Sequence, residues 1–352
     1  MRQAQITVRG GGIFGLSTAW ALARRGLSVR VVEVAQLGAG ASGGVVGALT
    51  PHVPEAWNDK KAFQLEALLM AGDWWAQVAA TSNRVTGYGR IGRLQPLADA
   101  AEVARAQART LGAQSLWQGR ADWQVIPATG AAWEPVSPSG LLVHDTLSAR
   151  INPRLALTAL AAAIEAKGGQ VILGDAPDQG AVLWANGTAG LDALALASGR
   201  AVNGAVKGQA ALLHLPGPHG PQISAEGLYI VPHDDGLVAV GSTSEATWDD
   251  PTSTDARLDA IIARARATLP ALQDAPVVDR WAALRPRAAS RAPVAGAWPD
   301  RPGHFILNGG FKIGFGMAPL LAERMADLML TGQTDLPASF SPQAALAKSK
   351  PL

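Results

Sequence analysis

Hydrophobic and polar positions alternate with two different periods along this chain. Near its start, Ile6, Thr7 and Val8 form a β-branched strand, a glycine cluster interrupts it, and Leu16, Ala19, Trp20 and Ala23 then recur at helical spacing. Gly26 stops that helix, and a second strand follows over Val29-Arg30-Val31-Val32-Glu33. Farther on, 61–79 reads as a helix with Phe63, Leu65, Leu68, Leu69, Trp74 and Trp75 on its apolar face, 90–97 as a strand and 100–112 as a helix. Asn152 and Pro153 make an N-cap and first-turn pair for a helix that closes at Lys167-Gly168-Gly169, with Leu155, Leu160 and Ile164 as its buried stripe. Strand spacing returns at 171–173 and Ala181–Trp184. Between 206 and 242 the pattern becomes hairpin-like, with strands at 208–213, 228–233 and 237–240 and a turn at Asp234-Asp235-Gly236. A helix over 255–269, a strand at 305–308 and a last helix starting near Pro319 complete the sequence of elements. The segment after Gly332 reads as a loose tail.

The first strand, its glycines and the second strand together match the start of a dinucleotide-binding βαβ unit. Gly10 permits the tight turn, Gly12 lets the backbone approach a pyrophosphate, and Gly15 lets the helix pack closely on the strand. The free N–H groups and positive dipole end of that helix face the phosphates. Glu33 ends the second strand roughly 20 residues beyond the glycines, where a carboxylate accepts the ribose hydroxyls and repels a 2′-phosphate. Arg9 departs from the pattern, since an apolar residue is usual before the first glycine. The small-residue loop over 36–50 suits close contact with a large planar ligand.

Composition narrows the classes. With 352 residues, 48% of them hydrophobic and 16% charged, the chain has a large core and room for two domains. A net charge of +2 without a basic run argues against nucleic acid or an acidic membrane as partner. The absence of cysteine removes disulfides, thiolate metal sites and cysteine nucleophiles. No apolar run is long enough to span a bilayer, and the first strand begins too early for a signal peptide, so a cytoplasmic protein is expected.

Taken in order, several motifs resemble the FAD-dependent D-amino-acid oxidase superfamily, in particular its glycine oxidase and sarcosine oxidase branches. They are the Gly10/Gly12/Gly15 fingerprint with Glu33, the loop Gly40-Ala41-Ser42-Gly43-Gly44-Val45-Val46-Gly47, Ile151-Asn152-Pro153-Arg154-Leu155, Trp184-Ala185-Asn186-Gly187, Val206-Lys207-Gly208-Gln209, Tyr229-Ile230-Val231-Pro232, Val240-Gly241-Ser242-Thr243, Trp281-Ala282-Ala283-Leu284-Arg285-Pro286, and Gly309-Gly310-Phe311-Lys312 leading to Ala318-Pro319. The resemblance implies an α/β protein with a Rossmann-like FAD-binding domain over 1–80, 141–205 and 281–345. A second, mostly antiparallel β substrate domain would cover 81–140 and 206–280. It implies FAD bound noncovalently by Gly10, Gly12, Ile13, Phe14, Gly15, Glu33, Val34, Ala41, Ser42, Gly43, Gly47, Leu49, Val171, Asn186, Gly187, Gly310, Phe311, Lys312 and Gly314. It also implies oxidation of a C–N bond in a small amino acid or amine, with oxygen or another acceptor taking the electrons.

The same resemblance assigns Arg285, Lys312 and Tyr229 to the substrate. Arg285 would grip a carboxylate through parallel charge-assisted hydrogen bonds, with Arg287 and Arg291 left to solvent. Lys312 lies among glycine and apolar residues and needs an anion, a cavity or water. Tyr229 would bring its hydroxyl to the substrate. Ser244 stands where glycine oxidases tend to carry methionine, which puts glycine specificity in question. His52 and His233 read as structural histidines, Lys207 as a residue near the flavin without an assigned role, and Trp57 and Trp248 as walls of an entrance. The last helix would aim its positive end at the flavin. Two other readings stay open: an oxidase domain that acts on a modified uridine in tRNA, and a non-catalytic FAD-binding subunit. Oligomeric state, including a homo-oligomer, is left open.

Overall fold

In the computed structural model, which describes residues 5–217 and 220–352, the strands gather into two large sheets. The first has six strands in the order Val294–Ala297, His304–Asn308, Ala181–Trp184, Gln5–Arg9, Ser28–Glu33 and Gln170–Leu173. All but the antiparallel edge strand Val294–Ala297 run parallel, and Val8 stands opposite both Val31 and Leu183. Parallel strands covered on both faces need apolar side chains in both directions, which explains the near-continuous Val and Ile runs here. The helix Ile13–Ala23 is buried along its whole length because it packs between this sheet and the helices Pro153–Ala166 and Gly314–Thr331.

The second sheet has eight strands in the order Val277–Arg285, Val206–His214, Leu237–Gly241, Leu228–Pro232, Gln222–Ala225, Arg93–Pro96, Leu141–Asp145 and Trp123–Pro127. One neighbouring pair, Gln222–Ala225 with Arg93–Pro96, is parallel and the rest are antiparallel. The mixed α/β architecture expected from the sequence is therefore present. The expected boundary at 141 coincides with the start of Leu141–Asp145 and that at 281 falls inside Val277–Arg285, two strands that hydrogen-bond in the second sheet. Residues 1–4 of the first expected range lie outside the described residues.

Local signals placed several elements correctly. Asn152 Oδ1 accepts the Leu155 amide at 3.3 Å and Pro153 occupies the first helical turn. Asn58 caps Asp59–Ser82 by accepting from Lys61 N, and Asn83 ends that helix in the left-handed region. Three expectations are corrected. Leu155 is 37% exposed, and the stripe of its helix is Ala156, Leu157, Leu160 and Ile164 instead. The last long helix begins at Gly314, so Pro319 sits within it, where burial of Met317, Ala318 and Leu321 outweighs the missing amide donor. The tail is docked: Ala338–Phe340 and Pro342–Ala347 are helical, Phe340 is fully buried with its ring 5.3 Å from that of Phe63, and Arg200 holds the Leu346 and Ser349 carbonyls.

Candidate active site

A cleft of about 590 Å³ opens at the C-terminal ends of the parallel strands and runs to the face of the second sheet. At its outer end Gly10 has φ +116°, and a Cβ there would overlap the Ala185 and Asn186 backbone. A Cβ on Gly12 would meet Ser42 Oγ at 3.1 Å, and one on Gly15 would overlap the Gly10 carbonyl oxygen. Gly10 and Gly15 thus permit the turn and the close helix packing that their spacing predicted, and Gly12 leaves no room for a side chain beside Ser42. The Glu33 carboxylate accepts from Gly11 N at 2.7 Å and Ala35 N at 3.0 Å, which orients it at the strand end, and Ser42 Oγ accepts from Ile13 N at 3.0 Å. Arg9 is accommodated by ion pairs with Asp178 at 2.8 Å and Asp175 at 3.2 Å, and its guanidinium lies 5.9 Å from the Trp184 ring centroid.

At the inner end, Tyr229 and Arg285 come from the second sheet and Lys312 from the turn before the last long helix, and all three line the cleft. Arg285 is buried, and its Nη1 donates to the Thr243 carbonyl at 3.1 Å. Burial pushes the guanidinium down to about 10, with Glu245 opposing the shift, so it stays cationic at neutral pH. Burial also lowers the Lys312 ammonium, and the charge of Arg285 adds to that. Lys312 has no carboxylate within ion-pair distance among the described residues; its Nζ lies 5.7 Å from the Phe311 ring centroid. Two cations therefore share the inner end of one cleft.

The sequence profile of the FAD dependent oxidoreductase family matches residues 5–328. The chain belongs to that family. Glycine oxidase from Pseudomonas putida is 28% identical over 97% of this chain and 99% of its own length. Among solved structures, the fold is similar to iminodiacetate oxidase from Chelativorans sp. BNC1, with TM-score 0.83 and 22% identity over 96% of this chain and 98% of the other. It is also similar to L-proline dehydrogenase from P. horikoshii, with TM-score 0.79 and 19% identity over 97% of both chains.

FAD is the cofactor of this oxidoreductase, and the cleft fits it. The glycines at the phosphate end leave no room for any Cβ, and Asn186 Oδ1 and Asn308 Nδ2, buried atoms of cleft-lining residues, have no hydrogen-bond partner among the described residues. Of the residues expected at the cofactor, Gly10, Gly12, Ile13, Phe14, Glu33, Val34, Ala41, Ser42, Gly47, Leu49, Asn186, Gly187, Gly310, Phe311, Lys312 and Gly314 line the cleft. Gly15 and Gly43 stand behind it, closing on the Gly10 and Gly38 carbonyls. Val171 does not line the cleft, because its strand is the sheet edge beyond Ser28–Glu33, and it packs on the core opposite Val31.

Sequence reasoning missed Gln64, Thr50, Trp281 and Asn308, which also line the cleft. Gln64 left a signal, being a polar residue on the apolar face of its helix: it is 2% exposed, and its Oε1 accepts from His52 N at 2.7 Å and meets His52 Nδ1. His52 and His233 do lie off the cleft; His233 Nε2 donates to Val45 O at 2.9 Å and so pins the cofactor loop from behind. Lys207 is buried away from the cleft, 4.0 Å from Glu245. Trp57 packs on the core, Trp248 lines a separate polar recess with Lys207, and Ser244 is exposed, so none of the three shapes the cleft.

Proposed function

We propose that this enzyme oxidises the C–N bond of a small amino acid or secondary amine bearing a carboxylate, with FAD held noncovalently. The observation that carries the reading is that Arg285, Lys312 and Tyr229 line one cleft whose other walls are mostly apolar and glycine residues. FAD, when bound, would supply the two-electron acceptor that oxidises the C–N bond to an imine, which water would hydrolyse. Arg285 spends one donor on Thr243 O and keeps the others of its planar fork for a substrate carboxylate, which orients the reacting carbon. Lys312 adds a second positive charge on the same side, and the Tyr229 hydroxyl offers a donor or acceptor to the bound amino acid. The apolar walls keep water away from these charges and so strengthen them. The P. putida relative, a glycine oxidase aligned over nearly its full length, supports the same class.

The test is an anaerobic visible spectrum of the purified flavoprotein before and after separate additions of glycine, sarcosine, iminodiacetate, proline and common D- and L-amino acids. Bleaching of the flavin band by one of them is the expected result and names the substrate class. A band that survives the whole panel would overturn the reading in favour of the modified-tRNA or non-catalytic alternatives.

A further inference from the structure

Arg285 reaches the cleft by lying across its neighbouring strand. Val206 stands directly opposite it in the register between Val206–His214 and Val277–Arg285, and Gly208 is the next residue on the same face. The three nearest atoms that a Cβ at 208 would meet are Nη1, Nη2 and Cζ of Arg285, all of them inside van der Waals contact. The guanidinium therefore occupies the space a side chain at 208 would need. From behind, the pose is braced by the bond to Thr243 O. Thr243 in turn accepts Gln209 N at 2.8 Å through Oγ1 and bonds Glu245. Glu245 is itself held by Gln209 Nε2 at 3.0 Å and Arg257 at 2.8 Å. Lys207 and Gln209 alternate to the face opposite Gly208, so this single strand carries the brace on one side and the bare floor on the other.

We infer that Gly208 is a positioning residue for substrate recognition: its missing side chain is what lets Arg285 lie flat and aim its free donors into the cleft. The inference rests on the reading of Arg285 as the carboxylate anchor and adds the residue that sets its pose. A guanidinium is the far end of a flexible side chain, so a methyl group at 208 displaces it without requiring backbone movement. Charge, fold and cofactor cradle stay as they are while the aim is lost.

Acetate, titrated into the FAD-loaded protein and followed by the shift of the flavin band, is the probe. Gly208→Ala is expected to weaken acetate at least tenfold while FAD content per chain is unchanged. Melting temperatures of Gly208→Ala, Arg285→Ala and the double variant close a cycle that needs no ligand. The added methyl should lower the melting temperature in the presence of Arg285 and have little effect in its absence. Unchanged acetate affinity in Gly208→Ala, with the wild type responding, overturns the positioning role, as does an equal loss of melting temperature in both backgrounds. If the wild type holds FAD but its band never responds to acetate, the carboxylate reading itself fails, and the positioning role fails with it.

Discussion

Among individual residues, the division of labour in the cleft follows from size and charge. Gly12 faces Ser42 so closely that any branched side chain must move the cofactor loop, and Gly12→Val is expected to abolish FAD retention, read as flavin absorbance per folded chain. Arg285→Ala should instead leave FAD content near normal and raise KM for carboxylate substrates roughly 10- to 100-fold, as expected for losing hydrogen bonds to a charged group. Equal loss of FAD and of substrate affinity would mark Arg285 as structural. The glycines, Glu33 and Ser42 were legible because their roles are local, each set by a turn and two strand ends. Gln64 left only the trace of a polar residue on an apolar helix face, and Asn308 reads as the last residue of a strand, because which way each side chain turns relative to the cavity is set by packing across the fold.

At the level of elements, the sequence predicted strands and helices best where one period persists. The tail shows the opposite case. Its short apolar residues have no period, and only the presence of Phe63 across the fold explains why Phe340 is buried. Phe340→Ala should therefore cost about 3–5 kcal/mol of stability in urea unfolding of the FAD-loaded protein, as for other buried aromatic truncations; a cost near zero would return the tail to the status of a loose appendage. The start of the last long helix is likewise a tertiary decision, since Phe14 closes on Gly310 and the first helix packs along it, pulling the helical turn five residues ahead of Pro319.

Across the whole molecule, burial of histidines ties stability to pH. Burial lowers both His52 and His233, with the contacts to Gln64 and Val45 O opposing the shift only in part, so each favours the neutral form in the fold. The unfolded chain protonates them near pH 6.5, so their contribution is complete above that value and is lost as pH falls below it. The urea midpoint should accordingly drop between pH 7.5 and 5.5, and His233→Gln, which keeps a donor for Val45 O, should flatten that slope; an unchanged slope would remove His233 from the explanation. The sequence by itself determined the dinucleotide-binding start, the α/β class and the cofactor loop, because these depend on residues adjacent in the chain and on backbone freedom at particular glycines. Only the tertiary structure decided which charges meet: it removed Lys207 to a buried pair with Glu245, left Lys312 without a carboxylate partner among the described residues, and laid Arg285 over Gly208. Those outcomes depend on strand register and on side chains that are 38 or more residues apart, and electrostatic energy responds to distance in space, which local patterning does not encode.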